Sequence, residues 1–217
     1  MRLLVLIPLL FLLLGCKSNS EENENNLALD GEVQIQYSIE TVVPELTNPW
    51  GMTWLPDGSM LITEKGGELI HFKDDKKIEI QNIPDIYIRG QGGFLDVALH
   101  PDYENNGWIY FTHASTEGGG EGGNTRLIRA KLEGNSLNNI ESLYKAMPNS
   151  KKGQHFGSRI AFDGEGYVYF SVGDRGNRDV NPQDITRDNG KVYRLHDDGR
   201  IPKDNPFVGV AGAKEAI

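Results

Sequence analysis

One pattern, repeated, constrains this chain more than any other feature: short apolar runs joined by tight turns built on Asp-Gly. In WGMTWLPDGSMLITEKGGELIHF, residues 50–72, an apolar run meets Pro56-Asp57-Gly58, a second run follows, Gly66-Gly67 turns the chain again and a third run begins. Gly tolerates the positive φ that tight hairpin turns need, so Asp-Gly between alternating runs is a strong hairpin signal. LDVALHPDYENNGWIYFTHAS repeats the pattern with a longer turn ending at Gly107. IAFDGEGYVYFSVGD repeats it around Asp163-Gly164, and KVYRLHDDGRIP around Asp198-Gly199. With 26 Gly, 10 Pro and no long helical periodicity, the chain is predicted to be all-β. Repeats of roughly 45 to 60 residues made of short antiparallel strands describe β-propeller blades, which bury their faces only by stacking on neighbours. About three such units fit here, fewer than the four or more a closed propeller uses. The expectation is therefore a fragment, with apolar strand edges left exposed.

Charge narrows the partners. The 217 residues carry 31 acidic and 22 basic side chains, a formal net charge of -9. The basic clusters are the pairs Lys76-Lys77 and Lys151-Lys152, too small for a phosphate-binding face, so nucleic acid is not an expected partner. The N-terminus, MRLLVLIPLLFLLLGCKSNS, has Arg2, an apolar run from Leu3 to Leu14, and Gly15-Cys16. That run is short for a membrane span and fits a secretory signal. Leu13-Leu14-Gly15-Cys16 resembles a bacterial lipobox, which makes Cys16, the single cysteine, the expected lipidation site. The predicted organisation is a lipoprotein signal over 1–16, a polar tether over 17–32 and a partial propeller domain over 33–217. Lys17 after the cysteine points to export with a lipid anchor in the outer membrane of a Gram-negative bacterium.

Two glycine-rich loops draw attention as a site. Arg89-Gly90-Gln91-Gly92-Gly93 precedes the run FLDVAL, and Gly153-Gln154-His155-Phe156-Gly157 precedes RIAF. Glycine allows close backbone approach, so such loops suit a planar ligand. His155 has two readings: a loop histidine bonded locally, or a general base. Asp174, in SVGDRGN, is a candidate partner, since a carboxylate on one imidazole nitrogen fixes the tautomer and raises the basicity of the other. Spacing alone leaves both readings open. His100 and His113 read as strand-end or turn residues, Asp57, Asp102, Asp163 and Asp198 as turn formers, and Trp50, Trp54 and Trp108 as blade core. GGGEGGN, residues 118–124, reads as a flexible edge loop, and no metal-ligand spacing is present.

NPWGMTWLPDGSMLITEKGGEL, GQGGFLDVALHPDYENNGWIYF, GQHFGSRIAF, SVGDRGN and GKVYRLHDDGRIPKDNPF together resemble, in order, the signature stretches of the soluble pyrroloquinoline quinone (PQQ)-dependent aldose sugar dehydrogenases, the glucose/sorbosone dehydrogenase family. The likeness runs from about Val42 to Ile217. It implies a six-bladed β-propeller, of which this chain supplies roughly the first three blades, and oxidation of aldoses to lactones. By the same resemblance His155 is the catalytic base, Asp174 the acid that orients it, and Gln91 a contact to cofactor and substrate. Gln154 stands where the glucose dehydrogenase branch has Asp, which implies a looser aldose specificity. The implied cofactors are PQQ and a Ca²⁺ ion, whose ligands, with the cationic PQQ contacts, are expected beyond Ile217. The substrate is a small aldose, and the electron acceptor is left open. The alternative is a surface-anchored propeller that only binds partners and performs no chemistry.

Overall fold

The computed structural model describes residues 28–29, 33–34 and 36–217; the lipobox with Cys16, the signal over 1–16 and most of the tether lie outside them. The chain divides into two units, residues 1–42 and 43–217. In the first, Ala28–Leu29 (β1) pairs antiparallel with Val33–Gln34 (β2).

In the second unit the strands form three antiparallel sheets in strict sequence order. The first holds Pro49–Trp54 (β3), Met60–Glu64 (β4), Leu69–Lys73 (β5) and Lys76–Glu79 (β6). The second holds Phe94–Leu99 (β7), Trp108–Ser115 (β8), Asn124–Glu133 (β9) and Ser136–Lys145 (β10). The third has Gly157–Phe162 (β11), Tyr167–Val172 (β12) and Lys191–His196 (β13). Among the described residues the one α-helix is a single turn, Tyr103–Asn106 (α1), between β7 and β8. This is the all-β arrangement, in roughly three blades, that the repeats predict.

The turns form as the local chemistry requires. Gly58, Gly164 and Gly199 take φ of 82°, 80° and 88°. In each turn the preceding Asp accepts from the main-chain N–H two residues on: Ser59 to Asp57 at 3.0 Å, Glu165 to Asp163 at 2.8 Å, Arg200 to Asp198 at 3.1 Å. The longer turn instead winds into α1 and stops at Gly107, φ 68°.

Packing explains why β8 opens on an unbroken apolar run, Trp108 to Phe111. Ile109 and Phe111 of β8, with Ile128 and Ala130 of β9, join Leu61, Leu69 and Phe94 in one core. Tyr110 and Leu127, pointing the other way, join Val168, Phe170, Tyr193 and Leu195 in a second. Both faces of the sheet are thus covered at β8, so alternation disappears from that strand. Each such apolar side chain contributes roughly 1.5–3 kcal/mol by leaving water. The third sheet is open at β13, where Val192 is 63 % exposed, consistent with the exposed strand edge the repeats imply.

One tryptophan and one histidine depart from expectation. Trp54 is 55 % exposed at the end of β3. Trp50 and Trp108 are half-buried against the hydrophobic clusters, as the blade-core reading expects, and lie under cations, Arg159 at 4.6 Å and Arg129 at 4.3 Å. His113 is no turn residue: it lies inside β8, fully buried.

Candidate functional site

The starts of β7 and β11 and the end of β12 lie at the same end of the sheets, since Lys65 after β4 bonds Phe94 and Gly157 pairs with Val172. The two glycine-rich loops and the SVGDRGN loop therefore meet there. The first two dock directly on each other. Gln91 N–H donates to the Gly153 carbonyl at 2.6 Å, and the Gln91 side-chain oxygen accepts from His155 N–H at 2.7 Å.

The glycines serve this docking rather than a ligand. A Cβ on Gly90 would strike the Gly153 backbone, and one on Gly92 would strike the Phe156 ring. Gly173 packs so closely on the His155 carbonyl that only glycine fits. The close approach read from the sequence is real, but its partner is the protein's own chain.

His155 and Asp174 come together as the sequence suggests. His155 Nδ1 lies 2.8 Å from Asp174 Oδ1. The same carboxylate oxygen accepts from Gly176 N–H at 2.6 Å. The His155 bond, with those main-chain donors, holds the Asp174 carboxyl below its ordinary range, so it is ionised near neutrality. An ionised acceptor places the imidazole proton on Nδ1 and leaves the Nε2 lone pair open. The His155 side chain is 49 % exposed, and Nε2 makes no hydrogen bond among the described residues, so a solute can reach it. Gln154 is exposed beside it, its amide lying over Gly176 where any Cβ would collide.

The backbone here is held in unusual conformations. His155 has φ 55°, Arg175 φ 55° and Ser158 φ 118°. Non-glycine residues in this region are uncommon and persist where surroundings over-determine them.

Those surroundings include residues the sequence reading missed. Arg175, 2 % exposed, stacks its guanidinium on the Phe156 ring at 3.4 Å and donates to the carbonyls of Gln154 and Lys152. Burial pushes this guanidinium down to about 10. Thr125 Oγ1 donates to the Phe156 carbonyl at 2.6 Å. Asn181 donates to the Asp174 carbonyl at 2.8 Å, and its own carbonyl accepts from the buried Lys191 ammonium at 2.7 Å. Nothing in an arginine after an aspartate in a glycine-rich loop signals burial; the guanidinium is enclosed only because three loops converge.

Around the pair, Lys65 Nζ donates to the Gly90 carbonyl and Lys152 Nζ to the Gly176 carbonyl, so cationic heads rim the loops. A groove of about 600 Å³ between Leu55, Tyr103, Asn106 and Lys131 lies at the opposite end of the sheets and shares none of these residues. Among the described residues no group of three His, Cys, Asp or Glu side chains is placed to hold a metal ion. Chemically, the arrangement offers a proton acceptor with an oriented tautomer, two neighbouring amides and a carboxylate to stabilise an imidazolium.

Residues 46–217 match the family described as Glucose / Sorbosone dehydrogenase. The chain is 35 % identical over 185 residues to the aldose sugar dehydrogenase YliI of Escherichia coli K12, covering 83 % of this chain and 49 % of that protein. It is 29 % identical over 206 residues to quinoprotein glucose dehydrogenase B of Acinetobacter calcoaceticus, covering 80 % and 42 %. The crystal structure of the soluble aldose sugar dehydrogenase from Escherichia coli, in the apo form, superposes with a TM-score of 0.75 at 35 % identity, over 79 % of this chain and 50 % of that one. The PQQ-bound aldose sugar dehydrogenase of Streptomyces coelicolor gives 0.67 at 27 % identity, over 81 % and 51 %. The chain spans about half the length of the relatives it matches.

Proposed function

The chain belongs to the glucose/sorbosone dehydrogenase family, and from that premise we propose that it carries the proton-accepting part of a PQQ-dependent aldose dehydrogenase. The observation that carries this reading is the His155–Asp174 pair at 2.8 Å, with Nε2 open to solutes.

A sugar hydroxyl is a weak acid, and it needs a neutral imidazole within hydrogen-bond reach as its carbon loses hydride. Asp174 fixes the Nδ1–H tautomer, so His155 Nε2 takes the proton of the anomeric hydroxyl. The imidazolium that results faces an ionised carboxylate. PQQ, when bound, supplies the acceptor for the hydride, so the anomeric carbon becomes the carbonyl carbon of a lactone. Gln91 keeps its amide N–H₂ for such a ligand, since its oxygen is taken by His155 N–H. Gln154 offers a second amide in the place that distinguishes the aldose branch. These groups fit the proton-transfer side of a quinone site. Among the described residues no cluster of carboxylates is placed to hold a Ca²⁺ ion.

The sequence also supports a place in the cell. We propose that the protein is exported and held in the outer membrane by a lipid on Cys16; no helix among the described residues is long and apolar enough to cross a membrane. Cys16→Ser should move it from the membrane to the soluble envelope fraction.

The enzymatic proposal is tested with the chain extended to the full length of a family member and supplied with PQQ and Ca²⁺. Dye-linked oxidation of a panel of aldoses should need both additions and should extend to several sugars. PQQ binding without turnover on any aldose would reject the substrate class. No PQQ binding would favour the partner-binding alternative.

A further inference from the structure

The segment Lys152–Phe156 presents His155 in a left-handed conformation. The carbonyls of Gly153, His155 and Phe156 accept main-chain N–H groups, and the other two, of Lys152 and Gln154, converge on one side chain. Arg175 Nη1 donates to the Gln154 carbonyl, and Nη2 donates to the Lys152 carbonyl at 2.5 Å and reaches the Gly123 carbonyl at 3.5 Å. The Arg175 main-chain N–H meets the His155 carbonyl at 3.4 Å. Its guanidinium carbon lies 3.4 Å from the centre of the Phe156 ring, whose tip abuts Gly92. Four of the five residues in the segment thus touch Arg175.

Burying a guanidinium is expensive unless its donors are used; here Nη1 and Nη2 go to main-chain carbonyls, while Nε is buried without a partner among the described residues. The planar fork is the reason for arginine: parallel N–H groups can bond two carbonyls on either side of Gly153 while the flat face stacks, which an ammonium cannot do. Asp174 is the preceding residue, so one turn of backbone sets both the clamp and the carboxylate.

We infer that Arg175 is a positioning residue for the His155–Asp174 pair, clamping the segment 152–156 so that Nδ1 of His155 meets the carboxylate. The inference rests on the reading of His155 as the proton acceptor. It assigns Arg175 no contact with substrate or cofactor.

The test reads the imidazole itself, on this chain without PQQ or sugar. Long-range ¹H–¹⁵N spectra at a pH above the histidine range give the ratio of Nδ1–H to Nε2–H tautomer at His155, assigned by its loss in His155→Ala. In Arg175→Met, with cooperative unfolding retained, the ratio should fall several-fold. In Arg175→Lys, which keeps the charge but not the fork, it should fall nearly as far. An unchanged ratio in folded Arg175→Met overturns the inference and leaves Arg175 as a packing residue. If Arg175→Met does not fold, Phe156→Leu decides, because it removes the stacking plate and leaves the fork; a smaller fall supports the clamp and no change overturns it. A failed dehydrogenase reading would leave this ratio untouched, so the two failures are distinguishable.

Discussion

The main-chain N–H of His155 donates to the side-chain oxygen of Gln91 at 2.7 Å, across 64 residues of chain. The Gln91 oxygen thus fixes the loop that presents His155, and on the proposed function its nitrogen serves the ligand, so two jobs divide between two atoms.

Two substitutions separate those jobs. Gln91→Glu keeps an acceptor for His155 N–H and removes the amide donor, so the thermal midpoint should hold while PQQ binding weakens. Gln91→Ala removes both and leaves a main-chain donor without its partner, which costs about 1–3 kcal/mol. Denaturant unfolding beside a PQQ titration checks the pair; equal loss of stability in both variants would contradict the division.

Asp174 should matter through the tautomer of His155. Asp174→Asn preserves the shape of the loop but no longer stabilises Nδ1–H or an imidazolium, and turnover should drop by about 10²–10⁴-fold. The sign of the stability effect follows from the depressed folded-state carboxyl. Its contribution is present above the ordinary carboxylate range and is lost as pH falls through the lower folded value. Asp174→Asn should therefore flatten the acid side of the stability curve, as read from thermal midpoints between pH 7 and pH 3.

His113 gives a second acid sensitivity, unrelated to the site. Burial lowers its imidazole to about 4, while Nδ1 faces the Ala114 carbonyl at 3.1 Å. An unfolded chain binds that proton near the ordinary 6.5, so stability is full above 6.5 and declines as pH falls toward 4. The loss across that window is on the order of 3 kcal/mol. In His113→Leu the slope between those values should shrink, whatever the variant does to stability at neutral pH.

The core should be least forgiving where the first two sheets meet. Phe111 is fully buried, with its ring 5.4 Å from that of Phe94. Phe111→Ala should cost about 3–5 kcal/mol by transfer and cavity together, measured by denaturant unfolding. A cost under about 1 kcal/mol would mean that the first two sheets do not pack through Phe111 and its cluster with Leu61 and Leu69.

What was legible in the sequence was local. Asp57-Gly58, Asp163-Gly164 and Asp198-Gly199 each settle a turn within three residues, and strand order follows because neighbours in sequence pair in space. The His155–Asp174 pair needed more, since spacing alone favours a loop histidine over a base and does not show that the two loops meet. Gly90 and Gly92 announced a close approach without saying to what, because their partners, Gly153 and Phe156, lie some sixty residues on. Arg175 was invisible: an arginine in a glycine-rich loop reads as solvated, and only the convergence of loops at Gly123, Lys152 and Gln154 encloses it. Trp54 misled for the converse reason, since a tryptophan in a strand reads as core until the sheet's uncovered face is known.

The most direct measurement is rapid-mixing reduction of protein-bound PQQ by an aldose, in the chain extended to full family length, with wild type and His155→Ala compared across pH. The account expects cofactor binding to persist in the variant while the reduction rate falls by at least about 10²-fold. A variant that binds PQQ and reduces it at the wild-type rate would contradict the account, whatever else the site does.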